Sequence, residues 1–385
     1  MFILKLLYKN AFRHRLRTIL TIFGITVSIL AFGLLRTVVG AWYAGVNASS
    51  SSRLITRNAI SLVFTLPSSY LERIKTVEGV RAVSYANWFG GVYITEKNFF
   101  PNFAIEPPGY LALYPEFILP PDQKQNFFRD RKGCVAGRKL ADRYGWKIGD
   151  TITLKGTIFP GNWEFVLRGI YNGKEASTDE GQFFFHYAYL NETVRKNNPR
   201  QADQVGVYVV GINKPEQAAE ISRGMDALFI NSLAETLTET EKAFQLSFVV
   251  MTEAIVVAIR LVSYVVIGII MAVVANTMAM TARERIGEYA IYKAMGFRLP
   301  HIAAMIFGES LFITGSGCLL GILFTYPVAA RFAEAVGTFL PVFTVEPATI
   351  YLDICFALLI GGIAALFPAW RAWQIGIADG LRRIG

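Results

Sequence analysis

The stretch TILTIFGITVSILAFGLLRTVVGA, residues 18–41, holds a single charge, Arg36. A helix that crosses the hydrocarbon core of a bilayer needs about 20 predominantly apolar residues. A cleaved secretory signal also starts basic, but its apolar run is only about 7–15 residues. The longer run here reads as an uncleaved membrane anchor. Three further segments pass the same test, at residues 254–280, 301–329 and 350–370. Composition agrees: 53% of the 385 residues are hydrophobic and 17% charged, against about 25% charged in an ordinary soluble domain. The expected fold class is a membrane protein with four transmembrane α-helices and a large α+β domain between the first and second.

Charge sets the expected orientation. Residues 1–17 carry Lys5, Lys9, Arg13, Arg15 and Arg17 and no acid. The linker 281–300 has four basic residues to two acidic, and the tail 371–385 has Arg371, Arg382 and Arg383 against Asp379. The loop 330–349 has one basic residue and two acids. Loops rich in Lys and Arg stay cytoplasmic, so both termini and the linker are expected inside and the 42–253 block outside, making it an extracytoplasmic domain. Arg36 and Arg260 then fall near the outer interface, where long cationic side chains reach the headgroups. Leu4, Leu7, Ala11 and Phe12 recur at helical spacing among basic residues, so residues 1–17 read as an amphipathic helix on the cytoplasmic face.

The net charge of +9 does not point to nucleic acid. Residues 43–253 hold 23 Lys and Arg against 22 Asp and Glu, leaving 15 against 7 for the membrane-associated parts. A nucleic-acid surface would need the excess on the soluble domain. Three cysteines and three histidines, far apart in sequence, suggest no disulfide framework and no metal site. The chain lacks a GxxxxGK[ST] phosphate loop and the GxSxG and HExxH hydrolase motifs, so any ATP is handled elsewhere. Glu309, inside the third span, reads either as the partner of a basic residue such as Arg283 or Arg285, or as a point on a proton path.

Residues 42–230 alternate strand and helix, and their length suggests two lobes. AISLVFTL (59–66) reads as a strand, Pro67 and Ser68 open a helix through YLERIKTV, and VRAVSYA follows as a strand. Later, VGVYVVGI reads as a strand and EQAAEISRGMDALF as a helix. Between these two units, a helix in GRKLADRYG is followed by a Gly149-Asp150 turn and the strand TITLKG. Residues 99–128 interleave six prolines with eight Phe or Tyr. Phe103, Tyr110, Tyr114 and Phe117 there form either a substrate or partner surface or a proline-stiffened loop packed on its own domain. Residues 231–253 lack Gly and Pro and read as a stalk helix running into the second span.

In the linker, Glu284 and Glu288 are four apart on a helix, and Arg285 neighbours Glu288 and Tyr289. Gly296 reads as the helix stop. The pattern fits a short amphipathic helix at the cytoplasmic surface, or a charged turn that serves only topology.

Several motifs together resemble the MacB/FtsX/LolC-type ABC transporter permeases. They are ARERIGEYAIYKAMGF (282–297) with IAAMIFGESLFITGSGCLLGI (302–322), the tail FPAWRAWQIGIADGLRRIG (367–385) and the start KNAFRHRLRTILTIFGI (9–25). VEGVRAVS and AGRKLADRYGWKIGDTITL are similar to pieces of that family's periplasmic core domain. The resemblance implies a non-catalytic permease subunit in the bacterial inner membrane, paired with a second permease chain as homodimer or heterodimer. It implies a separate dimeric ABC ATPase that binds ATP and Mg, with no cofactor in this chain, and contact with membrane lipid. The linker would be the coupling helix, with Arg283, Glu284, Arg285, Glu288, Tyr289, Lys293 and Gly296 at the ATPase. Work on the outer side would export or extract a lipid, lipoprotein, peptide or small molecule, with a periplasmic adaptor as a further partner. Alternatively, the outer domain would signal to a partner such as a cell-wall hydrolase.

Overall fold

The computed structural model describes residues 11–175, 177–336 and 342–374. Most of the expected N-terminal amphipathic helix, part of the loop 330–349 and the tail beyond residue 374 therefore lie outside the described residues. Two compact units are present: a helical unit built from residues 1–40, 253–334 and 343–385, and an α+β unit built mainly from residues 41–252.

The helical unit contains four helices long and apolar enough to cross a membrane: Phe12–Ala48, Glu253–Glu284, Leu299–Ala333 and Pro347–Gln374. The chain is thus a multi-pass membrane protein. Each helix outruns its apolar core by a turn or more, because the backbone hydrogen bonds that hold a helix do not depend on apolar side chains. Leu261, Ile269, Leu319, Leu323 and Leu358 keep more than half of their surface exposed, as suits helices solvated by lipid chains. Inside, Ile25, Ile29 and Phe32 of the first helix meet Ile267, Ile270 and Val274 of the second, and Ile313, Ile360 and Ala364 of the third and fourth.

Small residues set the closest approaches. A Cβ at Gly317 would lie 2.7 Å from Ile25, and one at Gly321 would lie 2.7 Å from Ile29. This four-residue spacing of glycines lets the first and third helices touch along their backbones. Thr26 Oγ1 donates to the Gly317 carbonyl at 3.3 Å across the same contact. The third and fourth helices meet likewise at Gly361, whose carbonyl accepts from Ser310 Oγ at 2.7 Å.

The strands of the α+β unit are β1 (Arg53–Asn58), β2 (Leu66–Pro67), β3 (Val80–Trp88), β4 (Val92–Tyr93), β5 (Asn102–Ile105), β6 (Phe117–Ile118), β7 (Gly133–Gly137), β8 (Thr151–Gly156), β9 (Gly161–Gly173), β10 (Phe183–His186), β11 (Gln204–Val205), β12 (Val207–Ile212) and β13 (Thr236–Thr240). One mixed sheet runs in the order β13-β1-β12-β3-β5-β10-β7-β9-β8-β4, with β6 on β9 and a separate β11-β2 pair. The expected two lobes are therefore one continuous sheet. β13, β1, β12 and β3 form one end, and the segment between the two strand–helix units forms the other.

Alternation of side chains along each strand separates two cores. Phe183 and Phe185 of β10, Tyr208 and Val210 of β12 and Leu54 of β1 face one side. They pack there with Tyr70, Ile74, Leu140, Leu190, Ile221 and Met225 from helices. Phe184, Val209 and Ile55 face the other, against Tyr110, Leu113 and Phe127.

Three sequence expectations are corrected here. The first strand is Arg53–Asn58, not AISLVFTL. Ile60 and Val63 of that stretch are at least 80% exposed, and β2 takes only its last residue. Apart from Leu66, which pairs with Val205 of β11, the stretch has no partner strand, whereas β1 pairs with both β12 and β13. The stalk does not begin at 231. Thr236, Thr238 and Thr240 put β-branched side chains at alternate positions, and this segment pairs with β1 as β13. The helix starts at Glu241, where Thr240 caps it by accepting from the Ala243 N–H at 3.2 Å. It breaks again at Thr252, whose hydroxyl accepts from Trp42 Nε1 at 2.7 Å.

The third correction concerns residues 99–128. They form β5, the helix Pro107–Leu113, β6 and the helix Pro121–Arg129 rather than a loop. Prolines occupy the first helical turns, where a missing N–H costs nothing. Tyr110 and Tyr114 are buried, with stacked rings 4.6 Å apart. Phe117 packs 5.4 Å from both Tyr114 and Phe184, and Phe103 packs 5.1 Å from Trp88. Tyr110 and Tyr114, with Phe103 and Phe117 partly buried beside them, join Phe127 in the second core on this face of the sheet.

Candidate functional site

The second helix ends at Glu284. Arg285 breaks the helical run, and a short helix follows over Ile286–Ala294. Gly296 stops it with φ of +88°, a conformation open to glycine at little cost. The Gly296 N–H donates to Lys293 O and the Phe297 N–H to Tyr292 O, both at 3.0 Å. This is a Schellman motif, and its accompanying apolar contact is Tyr292 on Phe297, 5.7 Å between rings.

Of the seven residues singled out in the linker, three turn inward or are tied down. Arg285 is buried and donates to Glu309 Oε2 at 2.5 Å. Both side chains are over 90% buried, so this pair joins the linker to the third helix where charge is hard to solvate. Of the two readings of Glu309, the ion pair with Arg285 is the one the structure contains. Tyr289 is buried beside it, and burial pushes its phenol up to about 12. Lys293 Nζ donates to the Trp373 carbonyl at the end of the fourth helix, at 3.1 Å. Burial pulls its ammonium below the usual lysine value.

Glu284 and Glu288 face the N-terminal segment. Arg17 grips Glu284 in a two-pronged contact, 2.9 Å on each oxygen, and His14 lies 3.5 Å from the same carboxylate. Arg13 pairs with Glu288. The linker is thus fastened to the first, third and fourth helices by separate polar contacts. Sequence reading put both acids on one helix, whereas Glu284 ends the second long helix and Glu288 lies on the short one after the break at Arg285; it also missed Arg13 and Arg17 as their partners. The signal was present as a run of cations without acids, which topology alone had seemed to explain. Exposed on the linker are Arg283, Glu284, Ile291 and the run 294–300 with Met295, Gly296, Phe297 and Arg298.

The α+β unit holds a second buried ion-pair cluster. Arg53 Nε donates to Glu241 Oε2 at 2.8 Å, and Arg53 Nη2 to Glu116 Oε1 at 2.6 Å. Arg53 Nη1 donates to the Leu113 carbonyl at 3.0 Å, and the guanidinium lies 4.2 Å from the Tyr114 ring centre. The Ser50 N–H also donates to Glu241, at 2.8 Å. Glu241 opens the helix Glu241–Met251, and Ser50 follows the first long helix. The cluster therefore ties the point where the chain enters the domain to the point where it leaves. Residues 107–118, whose role composition did not reveal, wall it in. Among the described residues no three His, Cys, Asp or Glu side chains converge as metal ligands.

Comparison with known proteins matches both units. Residues 18–228 match the MacB-like periplasmic core domain, and residues 260–377 match the FtsX-like permease C-terminal family. An uncharacterized ABC transporter permease of Methanocaldococcus jannaschii is 26% identical over 97% of this chain and 96% of its own length. The ABC transporter permease YtrF of Bacillus subtilis is 32% identical over 28% of each chain. The periplasmic region of MacB from Actinobacillus actinomycetemcomitans covers 53% of this chain at 10% identity and a TM-score of 0.38, with 95% of that chain matched. With a periplasmic-core match over more than half of its length and a permease match over its last helices, the chain belongs to the MacB/FtsX-like family of ABC transporter permeases.

Proposed function

We propose that this chain is the membrane subunit of a complex in which a separate ABC ATPase does the ATP chemistry and the helices carry its motion to the α+β domain. The observation that carries this reading is the linker helix. It is held to three of the four long helices through Arg17–Glu284, Arg13–Glu288, Arg285–Glu309 and Lys293–Trp373, so a push on it is shared among them. In this reading the termini and the linker are cytoplasmic, as their excess of cations favours, and the α+β domain is outside. A second permease chain completes the transmembrane part, and the work is done on an outer-face substrate of lipid, lipoprotein or peptide character.

In this reading the ATPase meets the part of the linker that these contacts leave open. Arg285 and Tyr289 are buried, and the two acids are engaged with arginines. The contact then falls on Arg283, Ile291, Met295, Phe297 and Arg298, with Glu284 and Glu288 at its edge. The test is co-purification from native membranes with a chain carrying a phosphate loop. Met295→Asp with Phe297→Asp is expected to remove that chain while leaving the permease folded. The variant Arg17→Glu is expected to keep it but to lose stimulation of its ATP hydrolysis. Retention of the ATPase by the tip variant would refute the docking assignment.

A further inference from the structure

Asp353 lies on the fourth helix six residues from its start at Pro347, about 9 Å along the axis at 1.5 Å per residue. It is 0% exposed, and neither carboxyl oxygen has a hydrogen-bond partner. Among the described residues its two oxygens are the only fully buried side-chain polar atoms left so. One of them is aimed at the first helix where a side chain is missing. A Cβ at Gly33 would sit 3.6 Å from Asp353 Oδ2 and 3.3 Å from Thr325 Oγ1 of the third helix. The Thr325 hydroxyl donates to Gly321 O at 2.8 Å, and its lone pairs can still accept. The Cys318 thiol reaches the main-chain carbonyl of Asp353, at 3.7 Å, and not its carboxyl.

A carboxylate sealed among apolar helices with no counter-charge is the least favourable state available to it. The cations on the packed helices do not relieve it. Arg36 is three residues beyond Gly33, Arg260 of the second helix is exposed, and Arg331 is six residues beyond Thr325. None of them donates to the Asp353 carboxyl. Glu346, before the fourth helix, is directed at Gly40 instead, 3.4 Å from its Cβ position. A metal cation is a poor occupant, because the carboxyl and one hydroxyl supply three oxygens where a hard cation takes about six. A proton neutralises the group without needing a partner.

We propose that Asp353 is a proton-binding site inside the helix bundle, loaded while the first helix lies against the fourth and emptied to water when they part. Loading forms one O–H bond with a proton from water at the Pro347 end. Unloading breaks that bond and returns the proton, and nothing is oxidised or reduced. The unloading half rests on the ATP-driven movement proposed above; the loading half does not.

The first measurement is infrared spectroscopy of the purified chain in phospholipid bilayers. A carboxylic-acid C=O band is expected at neutral pH, shifted in D2O and lost in Asp353→Asn. Its absence from the unmodified protein would overturn the site. Gly33→Ala, which presses a methyl toward Oδ2 without removing the acid, is expected to move the band; an unmoved band would also overturn the assignment. The second measurement adds the ATPase and a non-hydrolysable ATP analogue, which is expected to weaken the band at least twofold. An unchanged band in a complex that binds the analogue would overturn unloading. Failure of any ATPase to bind would instead refute the proposed function, with the first measurement still standing.

Discussion

Replacing Glu241 with Gln takes one negative charge from the most enclosed ion pair of the α+β domain. Arg53 and Glu241 are 6% and 7% exposed and meet at 2.8 Å. Removing one partner of a buried pair costs about 3–5 kcal/mol, chiefly because the other charge is left uncompensated. Here the loss is smaller. Glu116 stays on Arg53 at 2.6 Å and is itself a quarter exposed, and the Gln carbonyl can still accept from the Ser50 N–H. We expect about 2–3 kcal/mol, which is roughly a 30- to 150-fold change in an opening equilibrium. The assay is hydrogen exchange on the full chain in bilayers, read at β1 and β13, whose register pairs Leu54 with Thr240 and Thr56 with Thr238. Exchange there is expected to quicken by that factor, while the β7–β9 pairing is expected to hold its rate. The double variant Arg53→Met, Glu241→Leu fills the same space without charge and is expected to recover most of the loss, since apolar replacement of a buried pair is often neutral. A silent Glu241→Gln, or a double variant as damaged as the single one, would refute this account of how the domain's entry and exit are joined.

Two further outcomes follow from packing and burial. Gly317→Leu must displace Ile25, whose Cβ lies 2.7 Å from the position a Cβ would take; overpacking of about 1–3 kcal/mol is expected to lower the melting temperature of the purified chain, and an unchanged temperature would remove the glycine contact as its cause. His186 is buried with Nε2 2.6 Å from the Phe127 carbonyl, and burial holds its imidazole below the ordinary value of 6.5. The unfolded chain therefore takes up a proton that the folded domain refuses, so this contribution is complete above about pH 6.5 and falls as pH drops toward 5, by at most about 1.4 kcal/mol per pH unit. Exchange protection of β10 measured across that range is expected to slope in the native chain and to flatten in His186→Asn.

The four long helices were legible because lipid solvation demands one property, apolar length, and a sequence displays it directly. Helices such as Tyr70–Lys75 and Arg138–Tyr144 were legible from local cues, a preceding Pro-Ser or a following glycine. What failed was non-local. AISLVFTL has the residues of a strand but, before Leu66, lacks a neighbour to pair with. The segment 236–240 has few strand-forming residues besides threonine, yet lies where β1 offers an open edge. The aromatics at 103–117 could be read either as a surface or as packed on their own domain, because sequence does not show which sheet face awaits them.

The acids show the same limit more sharply. Sequence gave Glu309 away because it sits within a third span that is otherwise uncharged, with arginines about two turns below. Asp353 drew no attention because it lies near the start of its span, where an acid can reach water. Depth along a helix is readable from residue count, but the direction a side chain faces around the axis is not, when the helix is apolar on every side. The fourth helix is of that kind, with Ile354 and Leu358 exposed and Ala357 and Ile360 buried, so nothing in its pattern marks one face as the interior. Packing against the neighbouring helices, with Gly33 at Oδ2, turns Asp353 from an interfacial acid into an enclosed one. A glycine on one helix and an acid on another have no sequence relation, and it is their meeting that gives the carboxyl something to do.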